Sequence, residues 1–270
     1  MNGQRQRKTA ALLSTRAALA LAIVAGGWER VGWYGRRLSD GGDEPWGLVA
    51  LVAAVLLTPR LVWRTPPTPW QALAAGGLML GVALFGERMP ALLQAMLWIL
   101  ALACVLAEGR GASGRTALLG LSLPVVSTLQ FYAGYPLRVV IAEMGRWLLA
   151  VVGIPVERMG VVLRWSGGEV MVDAPCSGVR MLWTASCVAA GLAAAFGLRW
   201  TTSLLLAVTT LAIVVVGNGL RATLLFFTET GRWANPEGTH SGIGVVLFTL
   251  VVTVVWRMAA RLGRSEAAAR

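Results

Sequence analysis

Three residues far apart in the chain have the chemistry of a nucleophile, a proton carrier and an anion holder: Cys176, His240 and Arg221. Cys176 stands in Val172-Asp173-Ala174-Pro175-Cys176-Ser177-Gly178-Val179-Arg180-Met181-Leu182, where Pro175 stops the preceding strand and a long apolar helix begins close to the thiol. A thiol at a helix N-terminus feels the positive end of the dipole and unpaired N–H groups, and both favour the nucleophilic thiolate. Arg180, four residues on, is expected on the same helix face. Its charge either favours the thiolate further or holds an anionic group of a substrate. The alternative for Cys176 is a small buried hydrophobe, and the Pro-Cys-Ser-Gly context at an expected outer water boundary stands against it.

His240 is the only imidazole, in Gly238-Thr239-His240-Ser241-Gly242, where a loop enters the last apolar run. Imidazole titrates near neutrality, so it can take a proton from a thiol and give it to a leaving amine; the alternative is an ordinary surface histidine. Arg221 lies in Gly217-Asn218-Gly219-Leu220-Arg221 and interrupts an apolar run from Leu204 to Phe227. An arginine at the centre of a bilayer costs about 2.5–3.5 kcal/mol on the insertion scale. It either snorkels to the outer boundary or faces the bundle interior, where it can hold a developing oxyanion or a substrate carboxylate. Asn218 falls on the same face and can orient Arg221 or the substrate. Asp173 either orients His240 or is a solvated strand end. Thiol, imidazole and guanidinium together are the kit for acyl transfer through a thioester.

No metal and no cofactor are expected. Cys187 lies about 16 Å along a helix from Cys176, Cys104 is expected near the inner face, and neither has a second His or Cys nearby to complete a zinc site. Gly109-Arg110-Gly111-Ala112-Ser113-Gly114 lacks the lysine of a phosphate loop.

Membrane helices must hold these residues. Of 270 residues 56% are hydrophobic and only 14% charged, with a mean hydropathy of +0.67. Such a chain is not disordered. Its net charge of +11 is spread over short gaps between apolar runs, which excludes a soluble nucleic-acid binder and fits a polytopic membrane protein whose basic residues mark orientation. Eight runs approach the roughly 20 residues a span requires: 15–34, 46–64, 70–87, 90–108, 116–134, 177–198, 201–227 and 242–261. No cleavable leader is expected, because Gly26-Gly27-Trp28-Glu29 is a poor cleavage site and further spans follow.

The expected fold is all-α and polytopic, about eight transmembrane helices with a small extracytoplasmic amphipathic helix and β-hairpin. Residues 1–134 supply five spans. Residues 135–175 form the outer element: Pro136 to Val152 as an amphipathic helix, then strands over Val156 to Trp165 and Glu169 to Asp173 joined by Ser166-Gly167-Gly168. Residues 176–262 carry the cysteine, arginine and histidine, and 263–270 are a cytoplasmic tail. With the N-terminus inside, thirteen basic residues, Arg16, Arg110, Arg115, Arg257 and Arg261 among them, fall in inner segments against only Glu108 and Glu266. The whole excess of +11 then sits on the cytoplasmic face, and Cys176, Arg221 and His240 belong to the outer one.

These residues resemble the exosortase/archaeosortase family of membrane cysteine transpeptidases. The resemblance covers about Leu123 to Arg257. It rests on Leu129-Gln130-Phe131-Tyr132-Ala133-Gly134-Tyr135-Pro136-Leu137-Arg138, on the segment around Cys176, on Asn218-Gly219-Leu220-Arg221, and on His240 with Gly244. It implies Cys176 as the nucleophile, with Arg221 and His240 completing the site. It also implies that the partners are exported proteins ending in a Pro-Glu-Pro-like motif, a membrane helix and a basic tail. These are cleaved near the motif and passed to a cell-surface acceptor. The expected location is the bacterial inner membrane, with lipid as surroundings and no nucleic acid. Two rivals remain: a membrane cysteine protease that hydrolyses the same signal, and a non-enzymatic transporter or export component, which would need a polar path through both halves of the bundle.

Overall fold

Helices dominate because a lipid environment leaves no water for exposed backbone groups, and a helix satisfies them internally. The computed structural model describes residues 15–39, 46–173 and 177–269. In order they form α1 (Thr15–Gly26), α2 (Trp28–Ser39), α3 (Gly47–Leu56), α4 (Pro69–Phe85), α5 (Ala91–Leu106), α6 (Ala112–Leu121), α7 (Val126–Val151), β1 (Glu157–Met159), β2 (Val162–Trp165), β3 (Gly168–Met171), α8 (Val179–Ala195), α9 (Trp200–Glu229) and α10 (Thr239–Ala268). The chain divides into two compact units: residues 1–124 with 190–203 and 269–270, and residues 125–189 with 204–268.

The structure is that of a helical membrane protein, but the described residues do not contain eight helices of spanning length. Among the described residues three are long and apolar enough to cross a bilayer: α4 with the 3₁₀ turn that follows it (Pro69–Arg88), α9 and α10. The pair α6 and α7 adds a fourth if the two count as one bent span. The other apolar helices, α1, α3, α5 and α8, are shorter. Local breakers inside apolar runs explain the difference. Pro124 disfavours helical geometry at the residue before it, so the run 116–134 is split into α6, which ends at Leu121, and α7, which begins at Val126. α3 ends at Leu56, before Pro59, after ten residues or roughly 15 Å. α1 gives way to α2 at Gly27, where a Cβ would lie 2.0 Å from Nε1 of Trp98.

In the first unit, α4 packs on α5, and α6 packs on α3 and α5. Ala20, Ile23, Ala75, Ala101 and Val105 form its core. Gly111 and Gly114 let α6 meet the 190–194 backbone, where a Cβ on either would lie within 2.4 Å of Ala194. Two arginines read in the sequence as loop charges are structural. Arg16, fully buried, donates to the carbonyls of Thr65, Val105 and Pro66 at 2.9, 2.7 and 3.0 Å and to the carboxylate of Glu108. Thr65 Oγ1 donates to the same Glu108 oxygen at 3.0 Å. Arg115, 1% exposed, donates to the carbonyls of Arg110 and Glu108.

In the second unit, α7 runs unbroken through Pro136, which was expected to open a separate amphipathic helix. An interior proline forfeits only the bond to the carbonyl four residues back, and burial of Ile141, Ala142 and Leu149 against Leu163, Val172 and Phe226 holds the rest of the helix. The following segment is a three-stranded antiparallel meander, β1-β2-β3. The expected first strand 156–165 is two strands, turned at Gly160 with φ +63°, so that Arg158 pairs Leu163 and Leu163 pairs Val170. Arg158 of β1 donates to Glu143 of α7 at 2.6 Å and fastens the sheet to the helix. In α9, Gly217 and Gly219 admit neighbours on two faces: a Cβ on either would lie 2.8 Å from Val251 of α10 or from Met144 of α7.

Candidate active site

The turn that follows Cys176 in the sequence is fixed from two sides. Cys176 lies outside the described residues, which end at Asp173 and resume at Ser177. Ser177 is 2% exposed. Its Oγ donates to Oε1 of Gln130 on α7 at 2.9 Å and accepts from the N–H of Val179 at 3.4 Å, which occupies a donor at the start of α8. Gln130 can fold along α7 because Gly134 has no Cβ; one there would lie 2.7 Å from Nε2. On the other side, Gly178 has φ +78°, and a Cβ on it would lie 2.7 Å from Nδ2 of Asn218. Asn218, 1% exposed, therefore packs directly against the turn two residues beyond Cys176. Gly178→Ala adds positive-φ strain, about 1–2 kcal/mol, to that overlap. It is expected to lower the thermal unfolding temperature and the activity together.

Gly178, with φ +78°, marks the turn before α8, which begins at Val179; the expected relation of Arg180 to Cys176 involves a residue outside the described ones. Arg180 lies exposed in the first turn of α8, and its carbonyl accepts from Thr184 Oγ1 at 2.9 Å.

Arg221 and His240 stand on adjacent helices. Arg221 is half-buried, and its guanidinium rests against α10 at Gly244, where a Cβ would lie 3.4 Å from Nε. Gly244 is one turn after His240 on the same face. Nε of Arg221 is buried and makes no hydrogen bond among the described residues. His240 opens α10, half-exposed, and its Nε2 lies 2.7 Å from Oε1 of Glu229, the last residue of α9. The link between the two helices is pinned by Trp233, whose N–H donates to the carbonyl of Phe227 at 3.0 Å and whose ring stacks on that of Phe227 at 4.7 Å.

A cleft of about 400 Å³ lies beside this pair, lined by Asp173, Glu169 and Trp165 from the sheet side and by Phe226, Glu229 and His240 from the helices. Asp173, three residues before Cys176, is exposed and shares the cleft with His240. The carboxylate seated on the imidazole is Glu229, and the sequence reading did not single it out. Its only signal there is a carboxylate closing a long apolar run opposite the lone histidine. Gln130 was part of a recognised motif, but its bond to Ser177 depends on a helix 47 residues away in sequence.

A helical membrane protein with a cysteine segment, an imidazole–carboxylate pair and an intramembrane arginine defines a class. The model of the transmembrane exosortase family (Exosortase_EpsH) matches residues 40–257. The chain belongs to that family and is a membrane protein of the sorting-signal-processing class. The match reaches well into the N-terminal half, where the sequence offered only hydropathy. Neither a curated protein nor a solved structure matches the chain.

Proposed function

We propose that the protein is a cysteine transpeptidase of the bacterial inner membrane, with its site at the extracytoplasmic face. It cleaves the C-terminal tripartite sorting signal of exported proteins and transfers them to a cell-surface acceptor. The observation that supports this reading is the cleft shared by His240 and Asp173, the latter three residues before Cys176 in the sequence. Family membership supports it.

A carboxylate only accepts hydrogen bonds. Glu229 against Nε2 therefore keeps the proton of the neutral imidazole on that nitrogen and leaves the lone pair on Nδ1 as the base. Nδ1 takes the proton of Cys176, and the thiolate attacks the scissile carbonyl. Arg221 holds the oxyanion, the C–N bond breaks, and the imidazolium returns the proton to the leaving amine. The acceptor nucleophile then attacks the thioester, gives its proton to Nδ1 and releases the thiolate. The substrate helix approaches laterally, and its recognition motif reaches the outer cleft. The apolar faces of α9 and α10, with Leu204, Val208, Val245 and Leu250 exposed, fit this lipid setting.

Mass spectrometry of the processed substrate's C-terminus tests the reaction. An acceptor adduct is expected, and a free carboxylate under all conditions would make the protein a protease instead. Labelling of Cys176 by a membrane-impermeant thiol reagent from outside tests the topology, and failure to label would overturn the outer placement. Glu229→Gln is expected to slow processing roughly 10²-fold, the scale of one well-placed acid–base group, with little change in KM. An unchanged rate would remove Glu229 from the site.

A further inference from the structure

The first unit holds a cleft of about 620 Å³ that plays no part in the cysteine chemistry. Its wall is apolar, with Trp63, Trp98, Ile99 and Leu102 among its residues. It reaches the surface through side chains that are themselves apolar: Leu21 on α1 and Val55 on α3 line it and are 68% and 55% exposed. In a helical membrane protein, exposed apolar side chains of this kind are suited to hydrocarbon rather than water. Water has little to hold it there, since a buried water needs two to four polar partners. The volume is that of a ligand site rather than a packing defect, because such sites run from about 300 to 1,000 Å³.

One place on the wall is different. Arg30 is its only charged residue among those described, and Tyr34, also on the wall, lies one turn along the same face of α2. Nη2 of Arg30 donates to Gln94 at 2.8 Å, and its contact with Glu29 at 3.5 Å is to a carboxylate 87% exposed. A guanidinium has five donors, so others remain for a ligand. The Tyr34 hydroxyl is buried and makes no hydrogen bond among the described residues. It fits only because position 47 is glycine; a Cβ there would lie 2.7 Å from it. A cation and an unused hydroxyl beside an apolar chamber that opens through apolar side chains suit an anionic amphiphile, head at Arg30 and tail in the cleft.

We propose that this cleft binds one acyl chain of an anionic bilayer phospholipid, whose phosphate is held by Arg30 and Tyr34. The site is independent of Cys176. The full-length protein is reconstituted in vesicles of phosphatidylglycerol or phosphatidylcholine with brominated acyl chains. Tryptophan quenching is read there, and retained lipid is counted by native mass spectrometry after detergent extraction. One retained phospholipid per chain is expected, with about fivefold preference for phosphatidylglycerol, the effect of one basic residue near an anionic surface. Arg30→Gln removes the preference. Ala54→Phe, which fills the cleft from a wall residue 2% exposed, removes the retained lipid and lowers the quenching. A wild-type protein that retains no lipid, as it would if its own residues filled the cleft, overturns the proposal. So does an Arg30→Gln variant that keeps the preference, or a folded Ala54→Phe variant that retains lipid as before. Should Ala54→Phe fail to insert, the wild-type count and the Arg30→Gln preference decide.

Discussion

Cys176→Ala is expected to abolish processing of the sorting signal, a loss of about four orders of magnitude or more, with membrane insertion unchanged. The loss is large because the thioester path has no substitute for its nucleophile: neither Ser177, whose hydroxyl is engaged with Gln130, nor Cys187, far along α8, can take its place. His240→Ala and Arg221→Ala are expected to be severe as well, and effects within one catalytic unit do not add. Arg221→Lys separates charge from geometry, because an ammonium keeps the charge but loses the planar fork. Processing is read from the mass of the exported substrate in cells carrying each variant, alongside the amount of inserted enzyme. Full processing by Cys176→Ala would end the mechanism, whatever the other variants did.

Glu108→Ala is expected to destabilise the first unit by about 3 kcal/mol, no more than the lower end of the cost of breaking a buried ion pair, because Arg16 is enclosed but Glu108 is 35% exposed. Arg16 is fully buried. Without Glu108 its charge would remain enclosed with three carbonyls as its acceptors. For a chain of this size that corresponds to a fall of roughly 10 °C in Tm, measured in detergent by intrinsic fluorescence. The double variant Arg16→Met with Glu108→Ala is expected to recover much of the loss, because it leaves no unpaired charge behind. If Glu108→Ala melts with the wild type, Arg16 is held by its carbonyls alone.

The same cluster changes how the charge imbalance is read. Arg16 and Arg115 count toward an inner excess of basic residues in the sequence, but both are buried and spend their donors on backbone carbonyls and Glu108. Orientation therefore rests on the other basic residues of the inner segments. The positive-inside rule concerns charges in short loops near the bilayer, and an arginine enclosed by helix ends does not act as one.

The nature of the protein was legible in the chain itself. Apolar runs separated by short basic gaps can only be a membrane protein, because no soluble fold buries that fraction of its residues. The ordered set of Cys176, Asn218, Arg221 and His240 carried the resemblance to one family, and the family model matches residues 40–257. The number of spanning helices was not legible. Hydropathy averages over Pro124, Pro59 and Gly27, whereas a helix stops or bends at a single residue.

The partners inside the site were decided by tertiary structure alone. Asp173 was the carboxylate weighed as a partner for His240, and Glu229, at the end of the preceding apolar run, was not. Glu229 touches the imidazole because Trp233 folds the 230–238 link onto Phe227 and sets the start of α10 against the end of α9. Arg180 was expected to continue a helix that begins near Cys176, but Gly178 stands at positive φ and α8 begins only at Val179. Spacing fixes neighbours only while the backbone stays regular. At a functional turn it does not, and the contact is set by whichever distant helix packs against it.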